Sequence, residues 1–326
     1  MTTIPLINIA ALRSENTAER WAVVQSIATA FRDIGFMAVQ GHNIPEQVIS
    51  AMREQTRLLF KRPMDEKLAL TVHPTNYRGY IPLGFFTPNG GGGAANKHAD
   101  QYEAYKLHYE IAADDPICGQ CDLYGPNRWP ENSFALKAAV ANYWRHCDRV
   151  TDELLLAIAA FFDSDPAYFK QALTKPLTNM TLLHYPPCNR GVDHFGIHPH
   201  KDTDLLTVLA ADLIGGLYLR PRQAKQWIEA KVPSDALIVN VGDMLEIWSG
   251  GYFMSTPHKV VNESDQHRYS FPYFSVPRFD ITISPPSDSM NFDRAAMRAG
   301  EVSKKIWRSN WPNVDSVEEE IDPYTY

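Results

Sequence analysis

The strongest constraint on the fold is a change of hydrophobic period near residue 180. Before it, apolar residues recur every three or four positions. After it, they gather into short β-branched and aromatic runs separated by turns. In the first half Trp21, Val24, Ile27, Ala28 and Phe31 keep helical spacing, Asn16 and Glu19 form a capping-box pattern, and Gly35 supplies a stop. A strand-like run over 36–39 and a turn follow, and a second helix is predicted over 45–61, with Pro45 in its first position. Residues 133–162 contain neither Pro nor Gly, and Leu136, Val140, Tyr143, Cys147, Val150 and Leu154 draw one apolar stripe along a long helix. Past residue 180, strands are predicted at 204–210, 216–220, 226–231, 236–241, 258–262 and 269–275, with no helix between them. Short strands so spaced indicate a sandwich or barrel, not a parallel sheet. The expected fold is mainly β with flanking helices. Residues 1–130 form an N-terminal mixed region, and 131–326 form the long helix, the β core and a C-terminal segment, all in one integrated unit.

Composition narrows the function classes. The chain has 326 residues and a net charge of −7, and no long basic run, which argues against nucleic acid and anionic membrane as partners. The longest apolar run, 154–162, is less than half a membrane span. Four cysteines in a chain of this length are not a disulfide framework, and no secretory signal is visible, so a cytoplasmic setting is expected. Cys118 and Cys121 form a CxxC without a second pair at zinc spacing. Four consecutive glycines at 90–93 mark a surface loop or an active-site lid.

The eleven histidines are more informative. On an alternating strand His198, His200 and Asp202 share a face, and an imidazole beside a carboxylate makes a pincer for a divalent metal. A distant third ligand completes a two-histidine, one-carboxylate set, for which His258 and His267 are both candidates. Such a set suits Fe(II) and leaves three coordination positions open. Arg268 and Ser270 share a strand face, where a guanidinium fork and a hydroxyl make a carboxylate receptor.

The chain resembles the isopenicillin N synthase-like family of non-haem Fe(II), 2-oxoglutarate-dependent dioxygenases almost end to end. The motifs are IPLINIAAL, AFRDIGFMAVQGHNIP, FKRPMDEKLAL, Arg78-Gly79-Tyr80 and the segment from Asn127 to Pro130. The second half adds HYPPC from His184, His200-x-Asp202, GGLYLR, ALIVNVGDMLEIWSGG, His258 at a spacing of 56 from Asp202, and Arg268-x-Ser270. The resemblance implies a double-stranded β-helix (jelly roll) core packed against N-terminal helices. It implies His200, Asp202 and His258 as iron ligands, and Arg268 and Ser270 as the receptor for the distal carboxylate of 2-oxoglutarate, with Tyr185 beside it. The implied reaction uses O2 and 2-oxoglutarate to oxidise a C–H bond of a small metabolite, by hydroxylation, desaturation or cyclisation, releasing succinate and CO2. The family's namesake dispenses with 2-oxoglutarate, so an Fe(II) oxidase of that type is the alternative, and a catalytically silent metal-binding barrel a further one. This chain departs from the pattern at Thr181, where many relatives have Arg, and at Leu183, where Asn is common; both changes bear on substrate contacts. His198, Glu103 and Phe271 are the candidate substrate contacts, with Phe274 a further pocket wall.

Overall fold

The computed structural model describes residues 3–85, 99–187, 195–286 except 213, 223 and 225, and 296–309. The N-terminal part runs β1 (Leu6–Asn8), α1 (Thr17–Asp33), β2 (Phe36–Gln40), α2 (Glu46–Phe60), α3 (Met64–Leu68), β3 (Gly79–Ile81) and β4 (Glu103–His108). The long helix α4 (Phe134–Phe161) and the short α5 (Ala167–Ala172) precede β5 (Asn179–Tyr185), β6 (Ile197–His200), β7 (Leu206–Ala210), β8 (Leu217–Leu219), β9 (Ile228–Glu229) and β10 (Leu237–Val241). The chain ends with α6 (Asp243–Trp248), β11 (His258–Val260), β12 (Arg268–Ser270), β13 (Tyr273–Ser275), β14 (Thr282–Ile283), β15 (Met297–Arg298) and α7 (Ala299–Ser309).

Local chemistry accounts for the helix ends. The Asn16 side chain accepts from the backbone N–H groups of Ala18 and Glu19 and donates to the Glu19 carboxylate, while the Asn16 backbone N–H donates to Ser14 Oγ, so the helix start is capped without the full reciprocal box. Gly35 ends α1 with φ +73°, and a Cβ there would lie 2.2 Å from the carbonyl oxygen of Met254, so only glycine fits. Pro45 caps α2 from outside rather than occupying its first turn.

The large sheet has the order β1-β2-β10-β7-β13-β5-β4-β3, with β12 also paired to β5. The small sheet has the order β6-β11-β8-β9. The N-terminal strands are part of the large sheet: β2 pairs with β10, and β4 with β5. One face of the large sheet carries Met37, Val208, Val239, Leu182 and Tyr273, which pack with residues of α1, α2 and α4 in the larger core. The other face meets the small sheet: Phe36, Ala38, Ile238 and Leu183 cluster with Leu217, Leu219 and Val260. Two facing sheets with helices on the outer side of one make the jelly roll that the resemblance implied. The predicted strand 269–275 is instead two, β12 and β13, broken at Phe271-Pro272, because Pro272 has no N–H for the ladder. No helix among the described residues is long and apolar enough to cross a membrane.

Candidate active site

His200 closes β6 and His258 opens β11, and the two stand opposite each other in the antiparallel register of the small sheet. Asp202 was expected to continue the strand alternation but lies just beyond β6. Its backbone carbonyl accepts from the N–H of Asp243, at the start of α6. The ladder is irregular between Val260↔Ile197 and His258↔His200, so strict alternation fails across 197–200 as well. One ligand atom each from His200, Asp202 and His258 lie within 4.8 Å of one another, and this is the one such cluster of His, Cys, Asp or Glu among the described residues. The Nε2 atoms of His200 and His258 stand 3.8 and 3.6 Å from the Asp202 carboxylate oxygens.

Each imidazole is oriented by its other nitrogen. His200 Nδ1 lies 2.7 Å from the carbonyl of His198, and His258 Nδ1 3.1 Å from that of Thr256. Donation to those carbonyls leaves both Nε2 lone pairs for a metal. Thr207 Oγ1 and the Asn240 side-chain amide approach Asp202 Oδ2 at 2.6 and 2.8 Å, which leaves Oδ1 for coordination. Burial would push the Asp202 carboxyl up, but His258, His200 and these two hydrogen bonds hold it below the ordinary carboxylate range. Burial also brings His258 down to about 4, so it stays neutral, as a ligand must. Asp204, beneath the site, is driven the other way, by its own burial and by Asp202. The Thr207 hydroxyl also lies 2.9 Å from Asp204 Oδ2, so it is shared between the two carboxyl groups.

A second polar group sits where β12 meets the end of β5. Arg268 pairs with Tyr185 and Ser270 with Leu183. Arg268 is 2% exposed; its Nε donates to the carbonyl of Gly215, its guanidinium lies 4.8 Å from the centre of the Tyr185 ring, and its Nη1 has no hydrogen-bond partner among the described residues. A buried guanidinium with an unused donor fits an incoming carboxylate. Gly196 makes room for the ring, since a Cβ there would come within 2.8 Å of Tyr185.

Two of the candidate substrate contacts lie elsewhere. Glu103 pairs with His184 on the helix side of the large sheet, opposite to Tyr185. There it accepts from Tyr80 and Lys67, and its other oxygen lies 2.7 Å from His184 Nδ1. Burial raises its carboxyl, and these three partners bring it below the usual range. Phe271 also faces the helices, edge-on to Tyr143 of α4 at 5.1 Å, so it is core and not pocket wall. His198 is turned onto Asp100, which accepts from both its backbone N–H and Nδ1, and its buried Nε2 has no partner among the described residues. Phe274 pairs with Asn179 and Thr207 on the inner face. Thr181, where many relatives have Arg, instead accepts a hydrogen bond from Lys106. Thr207, Asn240 and Lys106 were not singled out from the sequence, although a polar residue inside the apolar run of β10 was a visible signal for Asn240. The glycine run at 90–93 and Cys188 fall outside the described residues.

Residues 4–132 match the model of the non-haem dioxygenase N-terminal region named for morphine synthesis, and 177–277 match the 2OG-Fe(II) oxygenase superfamily. The chain belongs to the non-haem Fe(II)/2-oxoglutarate oxygenase family. It is 32% identical to homoarginine-6-hydroxylase 2-ODD-C23.1 of Arabidopsis thaliana, over 81% of this chain and 79% of that one. It is 26% identical to gibberellin 2-beta-dioxygenase 8 of the same plant, over 87% and 77% of the two chains. Among solved structures, a Neurospora crassa protein in complex with alpha-KG and thymine superposes with a TM-score of 0.80 at 24% identity, covering 94% of this chain and 97% of that one. The protein is thus a 2-oxoglutarate-dependent dioxygenase, an oxidoreductase that uses Fe(II), 2-oxoglutarate and O2 to oxidise a small metabolite.

Proposed function

We propose that His200, Asp202 and His258 hold the iron, and that Arg268 and Ser270 take the distal carboxylate of 2-oxoglutarate against the Tyr185 ring. The observation that carries this reading is the pairing of two prepared sites. One is a triad whose imidazoles are oriented by backbone carbonyls. The other is a buried guanidinium with an unused donor. Iron and 2-oxoglutarate bound there supply O2 activation coupled to oxidative decarboxylation to succinate and CO2, the oxidising power that breaks a substrate C–H bond.

The protein's own residues do the rest. Thr207 and Asn240 occupy Asp202 Oδ2, so Oδ1 would be the oxygen offered to the metal, and a three-residue donor set would leave room for co-substrate and O2. The side chain of His200 is 37% exposed, against 9% for His258, so the triad is reached from the His200 side. His198, held by Asp100, presents its Nε2 as a polar contact for the substrate. The homoarginine hydroxylase of Arabidopsis makes homoarginine the first compound to try. Succinate release that requires Fe(II) and 2-oxoglutarate and rises with substrate is the expected result. His200→Ala should abolish it, and product formed without any need for 2-oxoglutarate would overturn the reading.

A further inference from the structure

Along β5 the residues alternate between two environments. Met180 and Leu182, on the helix side, have no accessible surface. Asn179 and Thr181, on the inner face, keep some, as do Lys106 of β4 and Phe274 of β13 beside them. They share the face of the large sheet on which Leu183 meets the small sheet, so the surface they retain lies on the side of the hollow between the sheets. Lys106 pairs with Thr181 and therefore shares this inner face with Ser270, Arg268 and Tyr185. Two of its three N–H donors reach Asn179 Oδ1 at 2.6 Å and Thr181 Oγ1 at 2.9 Å, and the ammonium lies 5.1 Å from the centre of the Phe274 ring.

Both acceptors are neutral, and no described carboxylate forms an ion pair with Lys106. Burial lowers the ammonium to about 7, although Asp202 and Asp204 both pull it upward. An interior ammonium whose direct contacts are all neutral is costly to the fold and suits a ligand that brings the opposite charge. The Arg268 receptor is a separate place on the same face. Arg268 stands opposite Tyr185 and Lys106 opposite Thr181, four residues or about 13 Å apart along the strand at ordinary strand rise. Thr207, which pairs with Phe274 at the level of Asn179, next to Lys106, links the inner face to Asp202.

We propose that Lys106 receives a carboxylate of the organic substrate, so that the enzyme's substrates are small carboxylic acids anchored inside the barrel by this ammonium while a C–H bond faces the metal triad. The proposal deepens the functional reading above and rests on it. Asn179 and Thr181 then act as positioning residues that hold the ammonium, and the Phe274 ring flanks it.

The test uses the full chain with Fe(II) and 2-oxoglutarate. A panel of amino acids including homoarginine, together with simple alkyl and aryl carboxylic acids, is compared with the matching carboxamides by stimulated succinate release. Acids should be used and their amides should not. For the acid that is turned over, Lys106→Met should lower kcat/KM by about a hundredfold, mostly through KM, as expected when one member of a buried charge-assisted pair is removed. Lys106→Arg should recover part of the loss. Anaerobic calorimetry should show the same loss in binding of that acid, with 2-oxoglutarate affinity unchanged within about twofold. Stimulation by amides as strong as by acids, or by no acid in the panel, would overturn the proposal. So would an equal loss of 2-oxoglutarate affinity in Lys106→Met, which would assign the ammonium to the co-substrate. Failure of the wild type to bind Fe(II) and 2-oxoglutarate in the same calorimeter would instead strike the underlying reading of the active site.

Discussion

On β4, Glu103 takes the helix side of the sheet and Lys106 the inner side, with two residues between them. Glu103 is the counter-charge for Lys67, whose side chain is 6% exposed and whose ammonium otherwise meets the carbonyl of Phe60 and, 5.2 Å away, the centre of the Tyr80 ring. Glu103→Gln should therefore destabilise the protein by about 3–5 kcal/mol, the usual cost of stranding one member of a buried ion pair. Chemical denaturation checks the loss. Turnover per folded molecule should stay at the wild-type level, since no part of Glu103 faces the triad; a tenfold fall in turnover would return it to the substrate site. The same contrast explains what was hard to see beforehand. A glutamate among apolar residues reads as readily as a substrate contact as it does as a structural counter-ion, and only the cross-strand pairing with His184 separates the two.

Helix α4 covers the outer face of the large sheet, and one of its residues makes stability depend on pH. Asp148 accepts a hydrogen bond from Tyr273 of β13, yet burial against the sheet raises its carboxyl to about 6. Because the folded pKa lies above the ordinary 3.8, the native state holds this proton more tightly than the unfolded chain. The favourable contribution is complete below about pH 4 and is lost as the pH rises through 6. Asp148→Asn keeps an acceptor for Tyr273 and removes the charge, so it should stabilise the protein by about 1–2 kcal/mol at pH 8 and scarcely at all at pH 4.5, read from thermal melts at both values. Elements with one wet face, such as α1 and α4, were legible from their apolar stripes, and the capping-box pattern at Asn16 and Glu19 marked a real helix start. The inner strands were less so. Every residue of β10 is buried, because the sheet is covered on both sides, and the alternation that tells inside from outside disappears from hydrophobicity. Thr207 and Lys106 carry no distinguishing signal for that reason, whereas the triad stands out through residue types that no core needs. Phe271 is legible in the sequence: Arg268 and Ser270 share a face, and the next residue falls on the other, against Tyr143.

At the scale of the whole molecule, the triad comes from β6, β11 and the segment leading into β7, while the carboxylate receptor proposed above comes from β12 against β5. Ligands at these places tie the small sheet to itself and to the large one, so they should stabilise the native state as a unit. At about a hundred times their dissociation constants, Fe(II) and 2-oxoglutarate should each add about 2.7 kcal/mol. Anaerobic melts should show the rise in midpoint, and His258→Ala should remove the metal-dependent part. The two-sided large sheet also sets what kinds of change this lineage can accept. A one-residue insertion or deletion within β4 would turn every side chain beyond it to the opposite side, carrying the Lys106 ammonium in among the helices and emptying its place in the hollow. Length variation among descendants of this chain must therefore collect in the connections between strands, and new substrate preferences must arise by exchanging side chains at fixed inward positions, one at a time.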